Sequence, residues 1–208
     1  MAAGLVNGSF IRYTFYIPGV TDWSEYRYQK LFRMLYGYVQ VVSKGSGASY
    51  NYYREGVLTD IPYLKTGKNS IIVPQDSLQK ILIFFRTGKA ASGDRVPEGC
   101  KVPITHFIET VQRPAKELVP AFDALLERLK LSDGASVDSA LADLVQAQDW
   151  ENKNSAQVLA YAQGICSSSW FNAVAGESPR MKKFQDNYYK LKEKSSPSRQ
   201  PQAVVLKP

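Results

Sequence analysis

The apolar residues of this chain change their spacing at Pro114. Beyond it they recur every three or four residues, which is the spacing of one face of an α-helix. Four such groups follow: Leu118, Phe122, Leu125, Leu126 and Leu129; Val137, Leu141, Leu144 and Val145; Val158, Leu159, Ala162, Ile165 and Phe171; and Met181, Phe184, Tyr188 and Leu191. Residues 114–194 are therefore predicted to form a helical region of about four helices.

Residues 1–113 have a mixed pattern. Residues 10–17 are rich in aromatic and β-branched residues and are followed by Pro18-Gly19, which is typical of a strand. Further short strands are predicted at residues 50–54, 56–59 and 70–74, of which the first two could form a hairpin. Helices are predicted from an Asp22 N-cap to about Val42 and over residues 76–86, an exposed loop over 87–102, and either strand or helix over 102–111.

These patterns predict an α+β fold in three parts. Residues 1–113 form a mixed α/β region with a small, mostly antiparallel sheet, and residues 114–194 form the helical region. Residues 195–208 are rich in Ser, Pro and Gln and are expected to be disordered.

Positive charge is segregated along the chain, whose net charge is +7. Residues 1–116 contain 15 Lys and Arg against 8 Asp and Glu, and residues 179–208 contain 8 against 2. Between them, residues 117–178 contain 3 against 9. Clustered positive charge attracts anionic partners, so a polyanion is the expected ligand of the basic segments.

Several classes of protein are disfavoured. Two cysteines do not make a secreted disulfide scaffold, and residues 1–10 lack the basic segment of a signal peptide. No run approaches the roughly 18 apolar residues that a membrane span requires. We therefore expect a cytoplasmic protein without membrane contact.

Tyrosine and basic residues alternate in the first half. Eight of the 13 tyrosines lie between positions 26 and 63. Tyrosine rings can stack on bases and Lys or Arg can neutralise phosphates, which is how sequence-tolerant proteins bind single strands. On the predicted helix Tyr28 and Tyr38 fall on the core face, whereas Tyr26, Lys30 and Arg33 fall on the opposite face.

The candidate nucleic-acid-binding residues follow from this pattern, from the Gly-rich loop at Lys44 and from the basic last helix. They are Tyr26, Arg27, Lys30, Arg33, Lys44, Tyr52, Tyr53, Arg54, Lys65, Lys68, Lys182, Lys183 and Lys190. The function expected is a non-catalytic protein that binds RNA or single-stranded DNA, as a small subunit of a nucleoprotein complex. A protein partner is expected to dock on the helical region.

Two other functions are compatible with the same residues. One is a protein–protein adaptor, because Tyr and Arg also dominate protein interfaces. The other is a metal-independent nuclease that uses His106, the single histidine, or a Tyr–Lys pair. Cys100, His106 and Cys166 lack the paired spacing of a zinc site, and no catalytic or cofactor motif occurs, so no metal, cofactor or catalytic residue is predicted.

Overall fold

The computed structural model describes residues 4–17, 19–20, 22, 24–43, 45, 49–89, 101–131, 134–149 and 153–195. Within these residues the fold is α+β, with six strands and two α-helices before Ala115 and five α-helices from Ala115 onward. The strands are β1 (Leu5–Tyr16), β2 (Tyr38–Ser43), β3 (Ser49–Arg54), β4 (Leu64–Gly67), β5 (Ser70–Pro74) and β6 (Lys101–Pro114). The helices are α1 (Tyr26–Tyr36), α2 (Leu78–Thr87), α3 (Ala115–Arg128), α4 (Val137–Ala147), α5 (Ser155–Cys166), α6 (Phe171–Glu177) and α7 (Pro179–Ser195).

The main sheet is antiparallel and has the strand order β4-β5-β1-β6. Along β1, Ile11, Tyr13 and Phe15 are buried, whereas Arg12 and Thr14 between them are exposed. This alternation follows from the two-residue period of a strand. Strands β2 and β3 form a separate antiparallel hairpin.

Each face of the main sheet packs on a different hydrophobic cluster. On one face, Ile11 and Tyr13 of β1 pack with residues of α1 and α2 such as Leu31 and Phe84. On the other face, Ile72 of β5 belongs to the same cluster as the core of the helical region. The two halves therefore share the sheet, with helices packed on both of its faces.

Helices α3 to α7 bury the face that their spacing predicts. Leu118, Phe122, Leu125 and Leu126 on α3 are buried, as are Met181, Phe184, Tyr188 and Leu191 on α7. The described residues contain five helices in this half, one more than predicted. The third apolar group is divided because α5 ends at Cys166 and Phe171 begins α6.

The start of α6 is attached to the sheet through Trp170. Its indole nitrogen donates a hydrogen bond to the carbonyl oxygen of Asn7 at 2.7 Å. A Cβ on the neighbouring Gly8 would approach both Trp170 and Ile72 to 2.9 Å. Glycine at this position of β1 therefore allows the indole ring to pack directly on the strand backbone.

The prediction that the first helix continues to Val42 is wrong. Helix α1 ends at Tyr36 because Gly37 has a φ of 78°, and the residues from Tyr38 onward form β2. A Cβ on Gly56 would collide with the backbone nitrogen of Gly37. The two glycines thus permit a close backbone crossing that the period of the apolar residues does not reveal.

The predicted strand at residues 56–59 is also wrong. This segment is a turn that closes on the end of α1, where Val57 and Leu58 donate backbone hydrogen bonds to the carbonyl oxygens of Met34 and Leu35. These bonds satisfy carbonyl groups that a helix end leaves unpaired. The hairpin partner of β3 is consequently β2.

The start of α1 differs from the prediction as well. The helix begins at Tyr26 with Glu25 as N-cap, and the Asp22 carboxylate instead accepts hydrogen bonds from the backbone and hydroxyl of Ser24. The ambiguous segment 102–111 is part of strand β6. Most of the predicted loop at 87–102 and all of the tail beyond Ser195 lie outside the described residues.

Candidate nucleic-acid interface

The β2–β3 hairpin has two different faces. Its register pairs Tyr38 with Arg54, Gln40 with Tyr52 and Val42 with Tyr50. Directly opposed residues of an antiparallel pair project to the same side. We call the face that carries these six residues the tyrosine face.

The opposite face carries Val39, Val41 and Tyr53, and we call it the valine face. Val39 and Val41 are 56% and 62% exposed, while Tyr50 and Tyr52 on the tyrosine face are 44% and 48% exposed. Neither strand pairs with the main sheet. The hairpin therefore offers large side chains to a partner on both of its faces.

The tyrosine face continues onto helix α1 through Arg33. The Arg33 guanidinium lies over the Tyr38 ring, 5.2 Å from its centroid. Arg54, directly opposite Tyr38, donates from Nε to the side-chain oxygen of Gln40 at 2.9 Å. Arg33 thus contacts the Tyr38 ring where helix and hairpin meet, and Arg54 is the cross-strand neighbour of Tyr38 on the same face.

The remaining α1 candidates have distinct environments. Tyr26 is exposed at the first position of the helix, and Lys30 is half-buried. Arg27 forms an ion pair with the carboxylate of Glu25. This pair partly neutralises Arg27, so Lys30 and Arg33 carry the charge that α1 can offer to a phosphate.

Tyr53 does not share the tyrosine face. It is half-buried, and its hydroxyl is 3.2 Å from the Thr59 hydroxyl oxygen. A Cβ on Gly37 would lie 2.7 Å from the Tyr53 hydroxyl, so the ring covers the backbone crossing at the base of the hairpin. Tyr53 therefore stabilises the base of the hairpin.

Lys65 of β4 and Lys68 in the following turn lie at the edge of the main sheet. The Lys65 ammonium lies 5.4 Å from the centroid of the Tyr36 ring. Lys68, in the turn after β4, lines a cleft of about 360 Å³ together with Arg12 and Phe10 of β1. Lys44 lies outside the described residues.

The basic residues of α7 lie in the helical region. Lys182 forms an ion pair with Asp186 at 2.9 Å, while Lys183 and Lys190 are exposed. Earlier on the same helix, Arg180 bridges Asp123 of α3 at 3.0 Å and Asp138 of α4 at 2.9 Å. Part of the acidic segment thus serves to hold α7 in place.

Several tyrosines of the sequence cluster belong to the core. The Tyr13 and Tyr36 hydroxyl oxygens are 2.6 Å apart, and burial raises the pKa of Tyr36 to about 12 and raises the pKa of Tyr13 further. The Arg128 guanidinium lies 4.6 Å from the Tyr63 ring centroid. It donates to the carbonyl oxygens of Thr59, at 2.9 Å, and Ile61. We call Tyr13, Tyr36, Tyr63 and Arg128 the core tyrosine network.

Sequence reasoning missed the role of Tyr38, which it placed on the core face of a longer helix. The signal that could have revealed it is Gly37, which lies between two aromatic residues near the end of the helical pattern. It also missed Arg12 and Phe107, which are directly opposed on β1 and β6. Their exposure depends on which part of the sheet the helices cover.

The described residues show few features of a catalytic centre. They contain no group of three His, Cys, Asp or Glu side chains that could hold a metal ion. Burial raises the pKa of the Cys166 thiol to about 12, so it is a neutral thiol rather than a nucleophilic thiolate. His106 is exposed on β6, with its ring 6.3 Å from that of Phe85.

Within the same residues, no helix combines the length and apolar content needed to cross a bilayer. Comparison with protein-family models, curated proteins and solved structures found no match. The geometry of the surface is therefore the basis for a functional proposal.

Proposed function

We propose that this chain is a non-catalytic nucleic-acid-binding protein that holds RNA or single-stranded DNA on the tyrosine face and the adjoining surface of α1. The observation that carries the proposal is the contact of Arg33 with Tyr38, opposite Arg54. This contact joins a cation of α1 to an aromatic ring of the hairpin, on the face that also carries the exposed Tyr50 and Tyr52.

The tyrosines and the arginines of this surface would contact different parts of the strand. Tyr50 and Tyr52 are two positions apart on β3, so their side chains emerge about 7 Å apart on one face. This separation allows each ring to stack on a different base of an extended strand. Arg33 and Arg54, at the α1 end of the same face, would neutralise the phosphates.

We propose a single-stranded ligand because the tyrosine rings would bind by stacking on bases. In a duplex the bases are stacked on one another, whereas unpaired bases can stack on aromatic side chains. The tyrosine face would therefore bind sequences with little discrimination, because every base has a flat face. Its polar residues, such as Gln40, would contact sugar or base edges.

We infer a cytoplasmic subunit of a larger nucleoprotein complex, with a protein partner on the helical region. The exposed carboxylates there, such as Glu127 and Asp143, suit a basic partner. Asp123 and Asp138, in contrast, form ion pairs with Arg180.

A salt series with labelled RNA and DNA single strands tests the proposal by fluorescence anisotropy. We expect Y50A/Y52A to weaken binding by at least about 30-fold, since each stacked base contributes about 1–3 kcal/mol. R33Q/R54Q should reduce the slope of log affinity against log salt by roughly one to two.

The matched control is V39T/V41T, which changes the other face of the same hairpin and keeps β-branched residues. It should bind strands as the unmodified protein does. If Y50A/Y52A and V39T/V41T have equal affinity, or if binding does not respond to salt, the proposal is wrong.

A protein–protein adaptor is the second candidate, and the exposed Val39 and Val41 favour it. Isolated two-stranded hairpins are marginally stable in water, and a protein docked on the valine face would cover these side chains. In that case V39T/V41T would abolish complex formation with the partner, while Y50A/Y52A would leave it intact. Copurification of a defined protein after nuclease treatment would identify the partner for this test.

A further inference from the structure

The main sheet has a surface that the helices leave uncovered. On the face that packs against the helical region, Gly8 and Phe10 of β1 are largely covered, but Arg12 and Thr14 are exposed. The same end of β1 carries the exposed Tyr16. We call the exposed region around Arg12 the open sheet surface.

Arg12 lies at the centre of this surface. The register of the sheet places Ser70 of β5 on one side of it and Phe107 of β6 on the other. Phe107 is 57% exposed, and its ring packs edge-on against Phe10 with centroids 6.4 Å apart. This contact holds an exposed aromatic ring beside a guanidinium group.

A cleft of about 360 Å³ lies on the β5 side of Arg12, across β1 from Phe107. It is lined by Phe10, Arg12, Thr14, Lys68, Asn69 and Ser70. The lining thus combines two cations with hydroxyl and amide groups, which are the side chains that contact phosphate and sugar oxygens. Its volume is within the range of about 300–1,000 Å³ for small-ligand sites.

We propose that the open sheet surface is a second site for a single-stranded nucleic acid. A base stacks on Phe107, and the neighbouring phosphate enters the cleft between Arg12 and Lys68. This inference rests on the proposed function, because it assigns the same class of ligand to a surface outside the hairpin.

The charges on this surface favour a nucleic acid over a protein. Glu109 is the one acidic residue among those opposed to β1 here, and it lies across from Phe10. A carboxylate accepts hydrogen bonds from the amino groups of bases and repels phosphate. It would therefore orient the base toward Phe107 and Glu109 and the phosphate toward Arg12.

The edge strand β4 lies between this surface and the end of α1. The Lys65 ammonium lies over the Tyr36 ring on the face of the sheet that packs against α1, since Lys65 pairs with the buried Ile71. Lys65 is three residues from Lys68, at most about 11 Å. A strand long enough to pass around the β4 edge of the sheet would engage both sites.

The test measures affinity against strand length, using oligonucleotides of about 6 to about 24 nucleotides. For the unmodified protein, affinity should rise with length until the strand spans both sites. R12Q/F107A should bind the shortest strands normally but lose at least about 10-fold for the longest ones. The matched control H106A/R113Q changes one ring and one exposed cation of β6 and should retain the full rise.

The outcomes separate this inference from the proposed function. If Y50A/Y52A weakens binding but R12Q/F107A behaves as H106A/R113Q does, the second site is refuted and the hairpin site stands. Absence of strand binding at every length would refute both. If R12Q/F107A instead changes only the association state measured by sedimentation, the open sheet surface binds protein and the inference is wrong. Thermal unfolding of each variant confirms that the fold is retained.

Discussion

Tyr36 and Tyr38 are separated by one residue, and their rings lie in different parts of the molecule. The Tyr36 ring is parallel to that of Phe32, 6.2 Å away, and its hydroxyl bonds that of Tyr13. Tyr38 is on the tyrosine face under the Arg33 guanidinium. The core tyrosine network and the tyrosine face thus use the same residue type for packing and for an accessible surface.

The difference teaches that the backbone turn between two aromatic residues decides their roles. A helix that continued through Gly37 would place Tyr38 on the core face, as predicted. The positive φ at Gly37 instead redirects the chain into a strand, where every second residue faces outward. Tyrosine content alone therefore overestimates the size of a binding surface.

The largest expected effect concerns the cation of the core tyrosine network. Arg128→Met removes the hydrogen bonds to the carbonyl oxygens of Thr59 and Ile61 and should lower the free energy of unfolding by about 2–4 kcal/mol. Arg113→Met is the control, because Arg113 is exposed and its ion pair with Glu117 is long, at 3.9 Å. This substitution should lower the free energy of unfolding by less than about 0.5 kcal/mol. Equal losses in urea unfolding would mean that Arg128 does not hold the two halves together.

Alkaline pH should distinguish the buried hydroxyls from exposed ones. The unfolded chain loses tyrosine protons near pH 10, whereas burial raises the pKa of Tyr36 to about 12 in the folded protein. The stability from this difference is complete below pH 10 and is lost as pH rises from 10 through 12. About 2–3 kcal/mol should disappear over that window from Tyr36 alone.

Urea unfolding at several pH values checks this expectation against Tyr36→Phe, which cannot ionise at that position. The variant should be less stable at pH 8, since Tyr13 loses its hydroxyl partner, but its stability should fall less steeply above pH 10. Parallel curves for the two proteins would exclude Tyr36 as a source of the pH dependence.

The smallest effect on stability is expected on the tyrosine face. Y50A/Y52A removes two exposed rings and should change the free energy of unfolding by less than about 1 kcal/mol, despite its large effect on strand binding. Chemical unfolding of the double variant measures this. A loss as large as that of Arg128→Met would assign the two rings to structure and weaken the contrast between the regions.

Much of the fold was predictable because burial imposes a period on the sequence. The apolar faces of α3 and α7 were identified from residues spaced by three and four. The strand β5 and the second half of β1 were identified from their β-branched and aromatic residues. Helix ends were less predictable. Asp22 has the sequence signature of an N-cap but binds Ser24 instead, because local polar contacts compete for the same groups.

The candidate site could be predicted only in part. Arg33, Arg54 and Tyr52 were identified as candidates, and the structure places Arg33 over the Tyr38 ring and Arg54 and Tyr52 on the same face of the hairpin as Tyr38. It places Tyr53 on the other face and Lys182, Lys183 and Lys190 on a helix of the second half. The pattern of apolar residues does not predict that β2 pairs with β3, because this pairing requires two segments to meet across a loop.

The sequence by itself determined the α+β composition, the helical second half and the supply of aromatic and basic residues in the first. These features are local, since each depends on side chains a few positions apart. Only the tertiary structure decided which rings are buried with Arg128 and which share a face with Arg33. The reason is that exposure depends on what packs against a residue, and the packing partners here are distant in the chain.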